Sequence, residues 1–489
     1  MKIYNNPRMK SGVTVIGGGL AGSEAAWRIA RCKIPVCLYE MRPSLMTPAH
    51  TTDMLGELVC SNSLKSDMPA TAPWLLKEEL RRMGSLLMRI ADETKVPAGH
   101  ALAVDRELFS RRLTEEISNE PLITVVREEV KELPAGGITV VATGPLTSDA
   151  LAASIACFAG AENLYFHDAL SPIVDAASLD MSMLSAASRY GKGGDDYLNA
   201  FLSKEEYLSF YDALIHAESV PFREFEAPQY FEGCLPVEEL ARRGVDTLRF
   251  GPMKPVGLTD PRTGRRAYAA LQLRRENLMA DAWNLVGFQN HMKFPEQRRV
   301  FRMIPGLQNA EFQRFGRIHR NSYINAPRLL QTTLQAKTRP ELFFAGQLCG
   351  VEGYIEAMAT GLLAGLNAAR LASGLEPRTP PPSSACGSLA RYLAAEQKNF
   401  QPANITFGLL AEIPAEVQAI RDKKERHNLQ TRKALEAMAS WAESLEAASE
   451  NPGPCVAPPR QNAHLPCVNS AFVPVASLDS EVLGSCLDE

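Results

Sequence analysis

The stretch Val13-Thr14-Val15-Ile16-Gly17-Gly18-Gly19-Leu20-Ala21-Gly22-Ser23-Glu24 constrains this chain more than any other. Apolar and β-branched residues run up to Gly17, and Gly17, Gly19 and Gly22 complete G-x-G-x-x-G with a helix, Leu20–Arg31, starting inside the motif. A second strand, Ile34–Glu40, ends in an acid eighteen residues after Gly22. The bare motif occurs in many ordinary turns. Strand, glycine turn, helix, strand and acid together predict a doubly wound nucleotide-binding sheet. The chemistry requires that shape, because backbone N–H groups must reach a pyrophosphate and a helix N-terminus adds positive partial charge. Glu40 then meets a ribose hydroxyl, so Gly17, Gly18, Gly19, Leu20, Ala21, Gly22 and Glu40 are the first candidate cofactor residues.

The pattern breaks off and later resumes. Ile123–Val126 and Ile138–Val141 read as strands, the second running into Thr143-Gly144-Pro145, where backbone can again approach a nucleotide. Trp74–Arg89 has helical spacing, and Ala103–Phe109 opens a further predicted helix to about Ser118. From about Ser171 the alternation of strands and helices stops. Helices are predicted over Lys204–His216 and Val237–Arg243, and strands over Gly251–Leu258, Ala269–Arg275 and Trp283–Phe288. A strand into a glycine turn returns at Glu341–Gln347, followed by a small-residue helix to Ser373 whose N-terminus can come close to a ligand. One dinucleotide domain is thus split by the middle third of the chain. Ser388–Ala447 reads as helical and charged, and the Pro-, Ala- and Ser-rich tail beyond it, with Cys455, Cys467, Cys486 and His464, reads as disordered.

At 489 residues the chain is too long for one compact core. No run approaches the roughly 20 apolar residues of a membrane helix, and polar Met1–Lys10 lacks the apolar core of a secretory signal. The ten cysteines are scattered without C-x-x-C or other metal-ligand spacing, which predicts a reducing, cytoplasmic setting, working thiols and no metal. Net charge is −4, but Arg242–Arg328 holds 17 Lys and Arg against 6 Asp and Glu, a local +11 that leaves −15 elsewhere. Such a segment is either a solvated, internally paired face or a dock for a phosphate-rich partner. Two cysteines stand out. Cys60 sits in the polar run Glu57–Asp67, with aliphatic neighbours on one side only. Cys234 precedes the helix at Val237, near arginines, a setting that favours thiolate. For both, a buried structural thiol is the competing reading.

Taken together, Gly17–Gly22, Pro48-Ala49-His50, Glu57–Ser63, Val104–Arg106, Glu232–Glu239, Gly251–Leu258, Val286–Gly287, Arg302–Gly306, His319–Asn321 and Gly346–Gly361 closely resemble the folate- and FAD-dependent tRNA (uracil-5-)-methyltransferases, the TrmFO family, relatives of the GidA flavoproteins. The resemblance covers about Gly12 to Ala447. It implies an α/β fold: a Rossmann-like FAD-binding domain (1–175 and 329–385) split by an inserted α+β tRNA domain (176–328), with a helical segment (386–447) and a tail (448–489). It implies C5-methylation of the T-loop uridine of tRNA. Methylenetetrahydrofolate supplies the carbon, which passes through reduced flavin, and NADH or NADPH supplies the electrons. The family's two functional cysteines fall on Cys234, assigned to attack on uracil C6, and Cys60, assigned to deprotonation at C5 or an auxiliary role. The flavin would also engage Arg42, Asn62, Thr143, Gly144, Gly346, Gln347, Gly353, Tyr354 and Glu356, and tRNA phosphates would meet Arg265, Arg266, Arg274, Arg298 and Arg299. No membrane and no obligatory protein partner are implied.

Two positions depart from the family pattern. Asn199-Ala200 replaces Asn-Cys, and Cys349 stands where threonine is usual and reads as a small packing residue near the flavin. The competing functions are a related flavoprotein that modifies the wobble uridine, a plain NAD(P)H-flavin oxidoreductase and a non-catalytic tRNA-binding flavoprotein. The first has a longer C-terminal tRNA-binding domain. The second explains the glycines but neither the cysteines nor the basic insertion.

Overall fold

The computed structural model describes residues 12–160, 164–191, 194–221, 230, 235–398, 400–410, 417 and 419–450. Cys234 and the tail with its three cysteines and His464 lie outside these residues. From the N-terminus the chain runs β1 (Val13–Ile16), α1 (Leu20–Arg31), β2 (Val36–Tyr39), β3 (Ser63–Ser66), α2 (Ala72–Arg82), α3 (Leu86–Glu93), β4 (Lys95–Val96), β5 (Ala101–Val104), α4 (Arg106–Asn119), β6 (Ile123–Val126), β7 (Thr139–Val141) and α5 (Asp149–Ala159). A middle stretch holds β8 (Leu164–Ala169), β9 (Ile173–Asp175), β10 (Leu184–Ala186), β11 (Tyr197–Leu202), α6 (Lys204–Ile215), α7 (Val237–Arg242), α8 (Thr247–Phe250), β12 (Ala269–Arg275), β13 (Ala282–Leu285), α9 (Phe294–Phe301), β14 (Phe312–Arg314) and β15 (Ile318–Tyr323). Then follow α10 (Ala326–Leu329), β16 (Gln335–Ala336), β17 (Arg339–Phe344), α11 (Tyr354–Ala372), α12 (Ala385–Ala394) and α13 (Lys423–Glu450).

The first sheet has the order β16-β17-β7-β1-β2-β6. β17, β7, β1, β2 and β6 are parallel, with Ile16 opposite Tyr39 on one side and Val141 on the other. β1 therefore lies where successive connections diverge, and the crevice at its C-terminal end is where such sheets bind ligands. The chain re-enters beside β7 only after the insertion, so the split read from the glycine motifs is real. The second sheet, β10-β11-β12-β13-β9-β14, is wholly antiparallel. It packs its own core of Tyr207, Phe210, Trp283, Phe288 and Phe301. The insertion leaves and returns along the antiparallel ribbon β8–β15.

Several local expectations give way to tertiary context. β9 is a strand of the second sheet, so the insertion begins ahead of residue 176. Ala103 and Val104 are strand rather than helix, because they pair in a small β3-β5-β4 sheet and Asp105 caps α4 by accepting from Leu108 N–H. Trp74–Arg89 is two helices, α2 and α3, broken where Gly84 takes φ +73° and Ser85 caps the second. Gly251–Leu258 forms no strand, and between α12 and α13 the described residues form no long helix. The small residues of α11 serve a helix contact: a β-carbon at Gly361 would lie 2.2 Å from the Ala21 carbonyl oxygen, and one at Gly365 2.6 Å from that of Ala25. Close packing of α11 on α1 locks the second half of the split domain onto the first.

Candidate active site

The three motif glycines do different work. Gly17 has φ +103°, and a β-carbon there would meet the Ala142 carbonyl oxygen at 2.5 Å. One at Gly22 would lie 1.8 Å from the Gly17 carbonyl oxygen, so these two glycines let β1, α1 and the end of β7 touch. A β-carbon at Gly19 would meet nothing within 4 Å. Gly19 opens α1, with no side-chain cap, into a cleft of about 990 Å³ including its mouth. Gly17, Leu20, Ala21, Glu40, Arg42, Thr143, Gly144, Gly346, Gln347 and Tyr354 also line this cleft. An uncapped helix N-terminus beside an empty Cα cradle suits the pyrophosphate of a dinucleotide.

Glu40 is held ionised for its part. Its Oε2 accepts from Gly18 N–H at 2.9 Å, and Oε1 accepts from Arg42 N–H at 3.0 Å and Nε at 2.9 Å. Burial opposes the charge, but the Arg42 contacts outweigh it and hold the carboxyl below its usual range. His50, on the cleft wall, is driven down to about 4 by burial and then by Arg42, so at neutral pH it brings no charge to an anionic ligand.

Cys60 stands beside this cleft. The Tyr354 hydroxyl accepts from the N–H groups of Cys60 at 2.9 Å and Ser61 at 3.2 Å. Arg314 donates to the carbonyls of Val59 at 3.0 Å and Cys60 at 3.1 Å, and Arg106 donates to that of Leu58. Arg106 pairs with buried Glu276 at 2.8 Å. Burial, then Arg106, bring Arg314 down to about 10, which leaves it cationic at neutral pH. The loop carrying the thiol is therefore clamped from three sides, with fixed positive charge close to any anion the site generates.

A family model described as Glucose inhibited division protein A matches residues 12–376. The chain belongs to this family. The GidA architecture recurs in the Aquifex aeolicus GidA structure in its form II crystal, at TM-score 0.64 and 17% identity over 90% of this chain and 76% of that one, a likeness of fold alone. Within the family the chain is 58% identical over 444 residues to "Methylenetetrahydrofolate--tRNA-(uracil-5-)-methyltransferase TrmFO" of Solibacter usitatus, covering 89% of this chain and 100% of the relative. The same-named Enterococcus faecalis protein is 54% identical over 439 residues, 90% of this chain and all of the relative.

In this GidA-family chain some expected cofactor residues stand back from the cleft. Asn62 is fully buried, donating to the Val104 and Arg275 carbonyls and accepting from Arg274 Nε at 2.8 Å, so its polar atoms are spent joining the Cys60 loop to β12. Glu356 accepts from Lys65 Nζ at 2.6 Å and from Ile405 N–H, and a β-carbon at Gly353 would strike that pair. Gly18 and Gly22 act through Glu40 and Gly17.

The basic segment divides likewise. Arg274, expected on a tRNA face, is only 7% exposed, because its guanidinium lies inward on Asn62. Arg299 pairs with Glu296, Arg262 with Asp260, Arg249 with Asp246 and Lys293 with Glu218. Arg298 is exposed and lies 5.0 Å from the Phe315 ring centroid. Arg265 and Arg266 are exposed on a shallow cleft with Lys204, and neither pairs with a carboxylate among the described residues. The +11 segment is thus in part internally paired, with Arg265, Arg266 and Arg298 left facing solvent.

Sequence reasoning missed Lys65, Arg106, Glu276, Arg314 and Glu352. Arg106 and Glu352 lay in quoted motifs and Lys65 in the polar run around Cys60, but Glu276 and Arg314 are single charges whose meaning is spatial. Burial, then Asp168, push Glu352 up to about 8, which makes it a carboxylic acid at neutral pH, accepting from Gln347 at 2.9 Å.

Proposed function

We propose that this chain methylates C5 of the T-loop uridine of tRNA, using methylenetetrahydrofolate, FAD and NADH or NADPH, with Cys234 and Cys60 as its working thiols. The full-length likeness to the TrmFO relatives supports the reaction. The geometry that carries the reading is the double role of Tyr354, which lines the dinucleotide cleft and holds the Cys60 loop. A thiol loop fixed to the wall of a flavin cleft has no use in simple hydride transfer.

Gly19, the α1 N-terminus, Glu40, Thr143, Gly144 and Gly346 would hold FAD. When bound and reduced by NADH or NADPH, the flavin would supply the passage for the one-carbon unit and the two electrons that take it to methyl. Uracil C5 becomes nucleophilic only after addition at C6, a task for the Cys234 thiolate. Once C5 has gained carbon, its proton must leave; Cys60 accepts it, and loss of the Cys234 sulfur restores the double bond and frees the thiolate. The clamp on residues 58–61 keeps that base oriented while a flipped uridine enters. Arg265 and Arg266 hold tRNA phosphates, as a cytoplasmic tRNA enzyme requires.

The test is mass analysis of unmodified T-arm RNA after incubation with the purified protein, methylenetetrahydrofolate and NAD(P)H. One methyl at the T-loop uridine, lost in Cys234→Ala, is the expected result. Unchanged RNA with continued NAD(P)H oxidation would mean a plain oxidoreductase. Methylation surviving in Cys234→Ala would reject the nucleophile and leave the function standing.

A further inference from the structure

We propose that a second cleft, at the far end of α1, binds a nucleotide carrying two or more phosphates. It opens where α1, α2 and α11 end beside α13, about 18 Å along α1 from the end that faces the cofactor cleft. Arg28, Arg31, Lys33, Arg82 and Arg370 line it, and among the described residues no carboxylate does. Arg82 pairs with Glu78 at 3.0 Å. None of the other four pairs with a carboxylate among the described residues.

These cations are held at a cost. Arg370 is only 7% exposed; its Nε donates to the Glu376 carbonyl at 2.8 Å, and its other guanidinium nitrogens have no hydrogen-bond partner among the described residues. Burial, then Arg378, push that guanidinium below its ordinary range. Arg28 Nη1 donates to the Met83 carbonyl at 3.1 Å, while its buried Nε has no partner among the described residues. Lys33 stands at φ +62°, just past the end of α1, where glycine is the ordinary residue and a β-carbon is strained. Cations also gather at helix C-termini to offset the macrodipole, but here they exceed that need. Three helix ends together carry about −1.5 elementary charges, which leaves the four unpaired cations an excess of roughly two to three. The terminal carbonyls are already satisfied as well. Those of Arg28, Ile29 and Ala30 accept from the N–H groups of Cys32, Lys33 and Ile34, and that of Arg370 from Ser373 and Leu375. Such an excess, confined in a cleft, calls for a multiply charged anion.

The rest of the lining narrows the class of anion. Met83, Leu366, Leu375 and Leu445 share the wall with the cations. A bare polyphosphate has no use for that apolar surface, whereas a base and ribose cover it while the phosphates meet the guanidiniums. The cleft also spans the two halves of the split domain, with Arg31 and Lys33 at the end of α1 and Arg370 in the last turn of α11. The opposite ends of these helices, at Leu20 and Tyr354, line the cofactor cleft. A nucleotide bridging their far ends would therefore stiffen the pair of helices on which that cleft is built.

The experiment uses the full-length, FAD-loaded protein, whose dinucleotide cleft is filled, with ATP as the probe and inorganic triphosphate and T-arm RNA as comparisons. Calorimetric titration should show ATP binding more tightly than triphosphate, and saturating ATP should raise the melting temperature. ATP should also shield half-buried Cys32, on the cleft wall, from alkylation, read by peptide mass. Arg31→Gln with Lys33→Gly, and separately Arg370→Gln, should weaken ATP binding about tenfold or more and abolish the shielding, with NAD(P)H oxidation unchanged. Glycine relieves the left-handed backbone at position 33, so loss of binding in that double variant at an undiminished melting temperature excludes misfolding. No ATP binding, ATP binding that leaves Cys32 open to alkylation, or wild-type affinity in both variants would overturn the site. Triphosphate binding as tightly as ATP, or shielding of Cys32 by T-arm RNA alone, would overturn the nucleotide as its ligand.

Discussion

Gly19 and Gly22 belong to one motif, and the structure predicts opposite consequences for replacing them with alanine. At Gly19, φ −74° is open to any residue and a β-carbon would meet nothing within 4 Å. The lost backbone freedom of the unfolded chain favours alanine by about 0.4–1 kcal/mol, and the loss of a glycine helix cap costs about as much. The cofactor-free Gly19→Ala protein should therefore melt within a few degrees of wild type. The methyl group projects into the cleft, where crowding a bound pyrophosphate costs about 1–3 kcal/mol, or roughly 5- to 150-fold in FAD affinity. At Gly22 the new carbon would sit 1.8 Å from a backbone oxygen, and the strand and helix must part by more than an ångström. That costs about 3 kcal/mol or more with or without cofactor. The assay is FAD titration by flavin fluorescence, with thermal melts of apo and loaded protein. Wild-type FAD affinity in Gly19→Ala, or an apo Gly19→Ala protein as unstable as Gly22→Ala, would refute the division of labour drawn here.

Tyr354→Phe removes the acceptor of two N–H groups on the Cys60 loop, about 1–3 kcal/mol of local order; single-turnover methylation should slow at least tenfold while FAD content, read by absorbance, holds. Lys65→Met strips the cation from fully buried Glu356, and thermal melting should register a loss of about 3–5 kcal/mol. Burial pushes Glu79 up to about 7 from 4.5, although its carboxylate accepts the Ala385 and Cys386 N–H groups at the start of α12. The folded state then binds that proton more tightly than the unfolded chain does. The resulting stability is fully present below about pH 4.5 and lost as pH rises through 7, an amount of about 3 kcal/mol. Melting curves of Glu79→Gln should accordingly be flatter than wild type between about pH 5 and 7. Arg265→Ala with Arg266→Ala should weaken tRNA binding and reduce the slope of log K against log salt by about 1.4–1.8; an unaltered slope removes both residues from the interface.

The first half of the nucleotide domain was legible because its signals are local. A glycine turn that must touch backbone, an apolar strand and an acid at a fixed distance are all consequences of one short supersecondary unit. Helix α1 begins and ends where its residues predict, and the return of the pattern near Gly346 correctly implied a split domain. Boundaries failed where pairing partners lie far away. Ala103 and Val104 become strand because β3 and β4 lie beside them, and Ile173–Asp175 joins the second sheet because β13 and β14 flank it.

Charge was harder to read than glycine. A count of arginines measures the field of a segment but not which guanidiniums face water. Arg274 and Arg314 turned inward to brace a loop some two hundred residues away in sequence, while Arg265 and Arg266 stayed out. Asn62 shows the same limit: the family resemblance placed it on the flavin, and the fold made it the joint between the Cys60 loop and β12.

By itself the sequence determined the strand, glycine turn and helix at Gly17–Gly22, that the parallel sheet is interrupted, and which cysteine-bearing segments to weigh, since each of these depends on residues close together along the chain. Only the tertiary structure decided that Tyr354 joins the cleft at the end of β1 to Cys60 and that Arg106 and Arg314 clamp that loop. Those relations follow from burial and hydrogen-bond satisfaction between segments that no spacing rule connects.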